Sequence, residues 1–284
     1  MASLAGIVIG FVVLGIVFYS IEHLFPAIRG QAIRRRGFSV DIVYWLFTPL
    51  VTKGLTRVAT LLGVVVIALL MGHELGPELG SKVSAGFGPI AAQPLWLIAL
   101  EMLVIGDFIG YWTHRAFHGR ALWKFHAVHH CSEELDWLSA LRLHPVNDVF
   151  SRLAQVVPLM LLGFPLTALA AYVPFLTVYA ILLHANVSWD FGPLRRVIAS
   201  PRFHRWHHTS QEEGRDRNFA GFFPLWDVLF GTYYMPDGKQ PQQFGVADGD
   251  VPQTFVGQML YPFRSGRATS SAKASGGVVT DIQA

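Results

Sequence analysis

Apolar runs long enough to cross a bilayer recur along this chain of 284 residues, and they confine it to a helical membrane fold. A spanning helix needs roughly 20 mostly apolar residues. The first run, from Leu4 to about Phe25, meets that length. It lacks a basic start and exceeds the roughly 7–15 apolar residues of a cleavable signal, so it reads as a retained span. A second apolar region, Ile42 to Met71, is interrupted by Pro49, Lys53 and Arg57. That pattern predicts an interfacial piece leading into a span over about Val58–Met71. A third span, about Pro94–Trp112, ends in the interfacial aromatic pair Tyr111 and Trp112. The run from Val149 to Leu183 is divided by Gly163-Phe164-Pro165. Each arm is about 25 Å long at 1.5 Å per residue, which predicts a helical hairpin.

Composition agrees. The chain is 52% hydrophobic and 14% charged, against roughly 25% charged in soluble domains. The net charge of +3 is no nucleic-acid signal, because the basic residues cluster at the ends of apolar runs. Arg29, Arg34, Arg35 and Arg36 follow the first span, and by the positive-inside rule their loop is cytoplasmic. The N-terminus is then outside. Arg142 before the hairpin and Arg195 and Arg196 after it place both hairpin ends in the cytoplasm. A bacterial inner membrane or the endoplasmic reticulum fits such a chain. The lone cysteine, Cys131, excludes an internal disulfide and a cysteine-rich metal site. It reads as a small buried residue.

Ten of the twelve histidines lie between His114 and His208. Eight form three boxes: His114 and His118; His126, His129 and His130; His204, His207 and His208. Helix residues three or four apart share a face, so each box can offer two or three imidazoles to a common point. Imidazole suits zinc, copper, iron and nickel. Eight ligands exceed the needs of one ion, which points to two. On this topology all three boxes lie on the cytoplasmic side. His23 and His73 are isolated and read as non-ligands.

The boxes resemble those of the fatty acid hydroxylase and sterol desaturase superfamily of membrane di-iron oxygenases. Five stretches carry the resemblance: Gly106–His118, Lys124–His130, Arg142–Pro145, His184–Val187 and Ser200–His208, closed by Trp226–Tyr233. The resemblance implies an all-α integral membrane protein with about four transmembrane helices and a cytosolic helical cap carrying a dimetal site. It divides the chain into N-terminal spans (1–94), a catalytic domain (95–235), an extension (236–264) and a disordered tail (265–284). The eight box histidines and His184 are its expected metal ligands, and His144 is either a further ligand or a hydrogen-bonding neighbour. Some relatives carry a second histidine four residues after the position of His184; here that position is Ser188, so one metal has an open position or Asn186 acts through water.

The resemblance further implies two iron ions, replaceable by zinc, with O2 as co-substrate and attack on a lipid C–H bond. Among the carboxylates near the boxes (Asp107, Glu133, Asp136 and Asp190), Asp107 is the preferred orienting group, two helical turns before His114. Asn218 is a further supporting residue. The lipid is a fatty acyl lipid, a sterol or a carotenoid, hydroxylated or desaturated. No cofactor motif supplies electrons, so a separate donor of ferredoxin or cytochrome b5 type is expected. Arg195, Arg196, Arg202 and Arg205 form a candidate docking face for it. The competing reading is a metal transporter or a non-catalytic metal-binding membrane protein. Transport would place ionisable ligands near mid-span, whereas these boxes fall at predicted span ends.

Overall fold

The computed structural model describes residues 4–70, 72, 74–247 and 250–264; His73 and the tail 265–284 lie outside them. In chain order the helices are α1 (Leu4–Leu24), α2 (Phe38–Phe47), α3 (Lys53–Leu70), α4 (Pro77–Ala85), α5 (Gly88–Ala91), α6 (Leu95–Phe117), α7 (Trp123–His130), α8 (Pro145–Leu161), α9 (Leu166–His184), α10 (Pro201–His207), α11 (Leu225–Leu229) and α12 (Phe255–Leu260). Among the described residues there is no β-strand, only the isolated bridges Pro26–Val187 and Thr209–Phe244. Four helical stretches are long and apolar enough to cross a membrane: Leu4–Leu24, Phe38–Val66, Leu95–Phe117 and Leu166–His184. The all-α membrane fold with four spans is therefore as expected.

The second apolar region is helical throughout, with no break between the expected interfacial piece and the span: a π turn over Thr48–Thr52 joins α2 to α3, and the apolar stretch runs from Phe38 to Val66. Pro49 has no N–H to give and its ring crowds the carbonyl four residues back. Widening one turn to π spacing relieves that clash and keeps the helix path. Proline and two cations interrupt the hydropathy here but not the helix.

The chain reverses at Gly163 as expected, but its two arms pack on α6 more than on each other, and only the second, α9, is among the candidate spans. Gly163 sits at φ 97°, a left-handed conformation that glycine adopts without penalty. Its N–H bonds the Met160 carbonyl at 3.0 Å, and Phe164 N–H bonds the Leu159 carbonyl at 3.1 Å. These are the paired bonds of a Schellman cap. Phe164 then packs into the core with Leu159, Met160, Leu169 and Tyr172. The arm α8 packs against α3 and α6, and α9 packs against α6.

Close helix approach in lipid depends on small residues, and Gly106 is one. A methyl added there would collide with the Tyr172 hydroxyl on α9. Gly106→Ala is expected to cost about 1–3 kcal/mol by overpacking. Thermal denaturation in detergent would measure it, and Tyr172→Phe in the same chain should recover part of the loss. Full stability in Gly106→Ala alone would refute the tight crossing.

Several arginines read as orientation markers have another role. Arg35 and Arg142 are buried and flank Asp41. Asp41 accepts from Arg35 at 2.8 Å and from Arg142 Nε at 2.6 Å, and Arg35 Nε donates to Asp136 at 2.7 Å. Two cations and two anions thus neutralise one another where α2 meets the segment before α8. Only Arg29, Arg34 and Arg36 of that first loop are exposed.

Candidate metal centre

The C-terminal ends of α6 and α9 bring histidines to the same level. His114 lies in the last turn of α6 and His118 caps it. His184 closes α9. Between these ends lie two short helices that bear one box each, α7 with His126, His129 and His130, and α10 with His204 and His207 and the capping His208. Pro201 starts α10, where a missing N–H costs nothing, and Ser200 caps it through a bond from Phe203 N–H at 3.2 Å.

Nine imidazoles form two adjoining groups. His114, His118, His126, His130 and His207 make the first, and His129, His184, His204 and His208 the second. Within each group the ring nitrogens lie within 4.8 Å of one another. Each three-histidine box sends two imidazoles to one group and its third to the other. Helix geometry explains the division. At about 100° per residue, positions i and i+4 differ by roughly 40°, while i+3 points about 60° to the other side. His126 and His130 therefore face the first group and His129 the second; His204 and His208 face the second and His207 the first. The rings of His130 and His208 stack across the boundary, with centroids 4.3 Å apart.

The hydrogen bonds fix the rings. His114, His129, His184 and His207 donate Nδ1–H to the main-chain carbonyls of Phe219, Arg142, Ala180 and Arg217, at 2.8, 3.0, 2.7 and 2.8 Å. His126 donates to Asn147 Oδ1 at 2.7 Å and His118 to Asp216 Oδ1 at 2.8 Å. In a neutral ring whose Nδ1 donates, Nε2 carries a lone pair. Those lone pairs converge: Nε2 atoms are 3.0 Å apart for His114 and His126 and 3.1 Å for His129 and His184, and the Nε2 of His204, whose Nδ1 has no partner, lies 3.3 Å from that of His184. Two acceptors cannot bond each other. Nitrogens that each stand about 2.1 Å from a shared ion lie roughly 3.0–3.4 Å apart. The Nε2 atoms of His118 and His207 are buried without any partner. The residues fit a pair of metal ions.

Electrostatics agree. Burial first, then the neighbouring imidazoles, push His126, His130, His207 and His208 well below the ordinary histidine range. His129 and His204 are lowered in the same way. Neutral imidazole is the form that ligates metal. The His118 hydrogen bond holds the Asp216 carboxyl below its usual range. A cavity of about 250 Å³ opens beside His118, lined also by Arg115, Gly119, Asp216, Phe219 and Thr232.

Several expected residues lie elsewhere. His144 joins neither group; it caps α8 by accepting from Val146 N–H at 3.2 Å and donates toward the Met259 carbonyl. Asp107 orients no imidazole among the described residues. Its carboxylate accepts the backbone N–H groups of Gly221, Phe222 and Phe223 and the Trp226 indole N–H. Two turns along α6 bring it under the loop that follows the third box. Asn186 binds both N–H and C=O of Ile28, and Asn218 donates to the Phe203 and Tyr234 carbonyls, so both fasten backbone. Ser188 is exposed, and the second group holds four histidines against five. Glu133, Asp136 and Asp190 pair with Arg36, Arg35 and Arg202. The arginine docking face is corrected as well: Arg202 and Arg205 are buried, and Arg205 lies over the Phe244 ring and donates to the Leu135 carbonyl. Cys131 is buried and belongs to neither group.

Two supporting residues had no sequence signal that singled them out. Asp216 is an exposed loop acid, and Asn147 is a buried amide on the first turn of α8. Asn147 is held by donating Nδ2–H to Ser151 Oγ at 3.1 Å, which leaves Oδ1 facing His126. Removing such an acceptor typically costs about 10–100-fold in metal affinity. Asn147→Ala is expected to show that loss in a chelator competition, with Asn147→Asp retaining more of it. Unchanged affinity in the alanine variant would refute the role.

Adjoining all-imidazole groups at the ends of membrane helices define a membrane histidine-box metalloprotein. Within that class the chain belongs to the fatty acid hydroxylase family, whose profile matches residues 99–232. It is 33% identical over 220 residues to the ornithine lipid hydroxylase OlsE of Rhizobium tropici, covering 69% of this chain and 66% of that protein. It is 37% identical over 144 residues to the alkylglycerol monooxygenase of Danio rerio, covering 50% of this chain and 31% of the relative. The human alkylglycerol monooxygenase is 34% identical over 134 residues, with 47% and 30% covered. The chain thus spans just under two thirds of the first relative and about a third of the others. No solved structure matches it.

Proposed function

We propose that this protein is a membrane di-iron oxygenase that hydroxylates an unactivated C–H position on the hydrocarbon chain of a polar lipid. The observation that carries the reading is the pair of imidazole groups whose buried Nε2 lone pairs converge at the ends of α6 and α9. The family and its lipid hydroxylase and monooxygenase relatives support the reaction class. Hydroxylation is favoured over desaturation by those names, and a chain lipid over a sterol or carotenoid.

When bound, two iron ions would supply O2 activation and removal of hydrogen from carbon. The protein supplies the rest. His114, His118, His126, His130 and His207 would hold one ion, and His129, His184, His204 and His208 the other. Main-chain carbonyls keep His114, His129, His184 and His207, and Asp216 and Asn147 keep His118 and His126, in the tautomer that presents Nε2. Burial keeps the imidazoles neutral and bulk water away.

Electrons come from a separate donor, of ferredoxin or cytochrome b5 type. The centre lies on the cytoplasmic side and the N-terminus outside. Exposed Arg29, Arg34 and Arg36 support that sidedness, since their loop bonds Asn186 beside His184. Transport is disfavoured because the imidazoles gather at helix ends and not along a mid-span path.

The test has two readouts. Elemental analysis of purified protein should find about two metals per chain. Lipid mass spectrometry of cells with and without the gene should find a lipid that gains one oxygen atom. Absence of metal would overturn the site, and loss of two hydrogens without added oxygen would overturn hydroxylation.

A further inference from the structure

Residues 219–230 read Phe-Ala-Gly-Phe-Phe-Pro-Leu-Trp-Asp-Val-Leu-Phe, and their one charged residue, Asp227, is buried. The segment lies along the outer face of α6. Phe108 meets Trp226 edge-on with centroids 5.0 Å apart, and Trp112 meets Phe230 at 4.9 Å. An apolar hollow of about 190 Å³ between them is lined by Val104, Val197, Phe223, Leu225 and Trp226. From Val104 to Trp112 the contact zone follows a candidate span for roughly 12 Å. On its other side the segment exposes Leu225, Val228, Leu229 and Phe230, with Leu229 at 62%.

The backbone adds an independent observation. Residues 219–223 form no helix, yet all five N–H groups are satisfied by two buried carboxylates. Asp227 accepts from Phe219 at 2.8 Å and Ala220 at 2.9 Å. Asp107 accepts from Gly221 at 3.1 Å, Phe222 at 2.8 Å and Phe223 at 2.7 Å, and from the Trp226 indole. A loop in water can leave its N–H groups to solvent. Non-helical backbone at membrane depth cannot, because each unsatisfied group there costs several kcal/mol. An acid in mid-span is itself expensive and calls for a specific partner; here the partner is this loop.

We propose that residues 219–230 are a re-entrant segment immersed in the bilayer beside α6, with lipid acyl chains as the occupant of the exposed face. The apolar surface is continuous with the lipid-facing side of α6. Its charged border is basic: Arg115 sits 5.5 Å over the Trp112 ring, Arg196 lies 5.8 Å over Tyr233, and Arg217 donates to the Gly231 carbonyl. Such a border matches anionic headgroups. The placement does not depend on which reaction the histidines run.

The test uses full-length protein in lipid nanodiscs. Leu225→Cys and Leu229→Cys each carry an environment-sensitive fluorophore, with Arg120→Cys on an exposed turn as reference. The unsubstituted chain, whose Cys131 is buried, controls for background labelling. Emission at residues 225 and 229 should be quenched by nitroxide-bearing lipids and shielded from aqueous iodide, with the order reversed at residue 120. Iodide quenching at residue 229 equal to that at 120 would overturn the proposal in favour of a water-exposed segment. Shielding from both quenchers would overturn it in favour of a protein partner.

Discussion

Replacing His207 with alanine is expected to lower the metal content from about two ions per chain to about one and to abolish oxygen-dependent lipid turnover, while the membrane fold persists. His207 is the only member of its group contributed by α10; the other four come from α6 and α7. Its loss leaves the second group complete. His204→Ala should do the converse. The double variant His204→Ala with His207→Ala should then keep neither ion if the box is shared between the groups, whereas one ion bound per box would leave about one. His144→Ala is the internal control. It removes a helix cap worth about 1 kcal/mol and should keep both metals and turnover. Retained turnover in His207→Ala would exclude His207 as an essential ligand. Elemental analysis and mass spectrometry on the same preparations separate a lost ion from a lost fold.

The second large effect is expected at Asp41. Its carboxylate lies between two guanidinium groups, and all three side chains are buried. Asp41→Ala would leave Arg142 without its ion-pair partner and Arg35 with Asp136 alone. Breaking a buried pair by removing one member costs about 3–5 kcal/mol, because the remaining charge is uncompensated. The damage should not stop at stability. The Arg142 carbonyl orients His129, so the ion of the four-histidine group should be lost more readily than that of the five-histidine group. A denaturation curve in detergent gives the first effect and chelator titration the second. Wild-type stability would refute the charge argument, and equal loss of both ions would refute the link through Arg142.

Much of this was legible in the sequence, for physical reasons that differ by residue. The hairpin was visible because Gly163 and Pro165 punctuate an otherwise apolar run. The gathering of eight histidines was visible because i, i+3 and i+4 spacing fixes a helix face, while the ninth, His184, was carried only by the family resemblance. The division of each three-histidine box between two groups follows from the same spacing, but only once the partner helices are placed. The continuity of α2 with α3 was hidden by Pro49, whose π turn has no distinct signature. Arg35 and Arg142 are more than orientation markers, because a cation at a span end looks the same in the sequence whether it faces headgroups or a buried carboxylate, and nothing local shows that Arg202 and Arg205 fold inward. Asp107 was recognised as an important acid, but its partners are backbone amides more than a hundred residues away. Asp216 and Asn147 carry no local pattern at all.

Four of the nine rings are oriented by main-chain carbonyls, those of Phe219, Arg142, Ala180 and Arg217. A carbonyl cannot be deleted by a codon change. Substitution at these four positions alters the side chain and leaves the acceptor, provided the chain keeps its path. Only Asp216 and Asn147 expose the orientation of an imidazole to direct mutation. The centre therefore has few single-residue routes to failure beyond the histidines themselves.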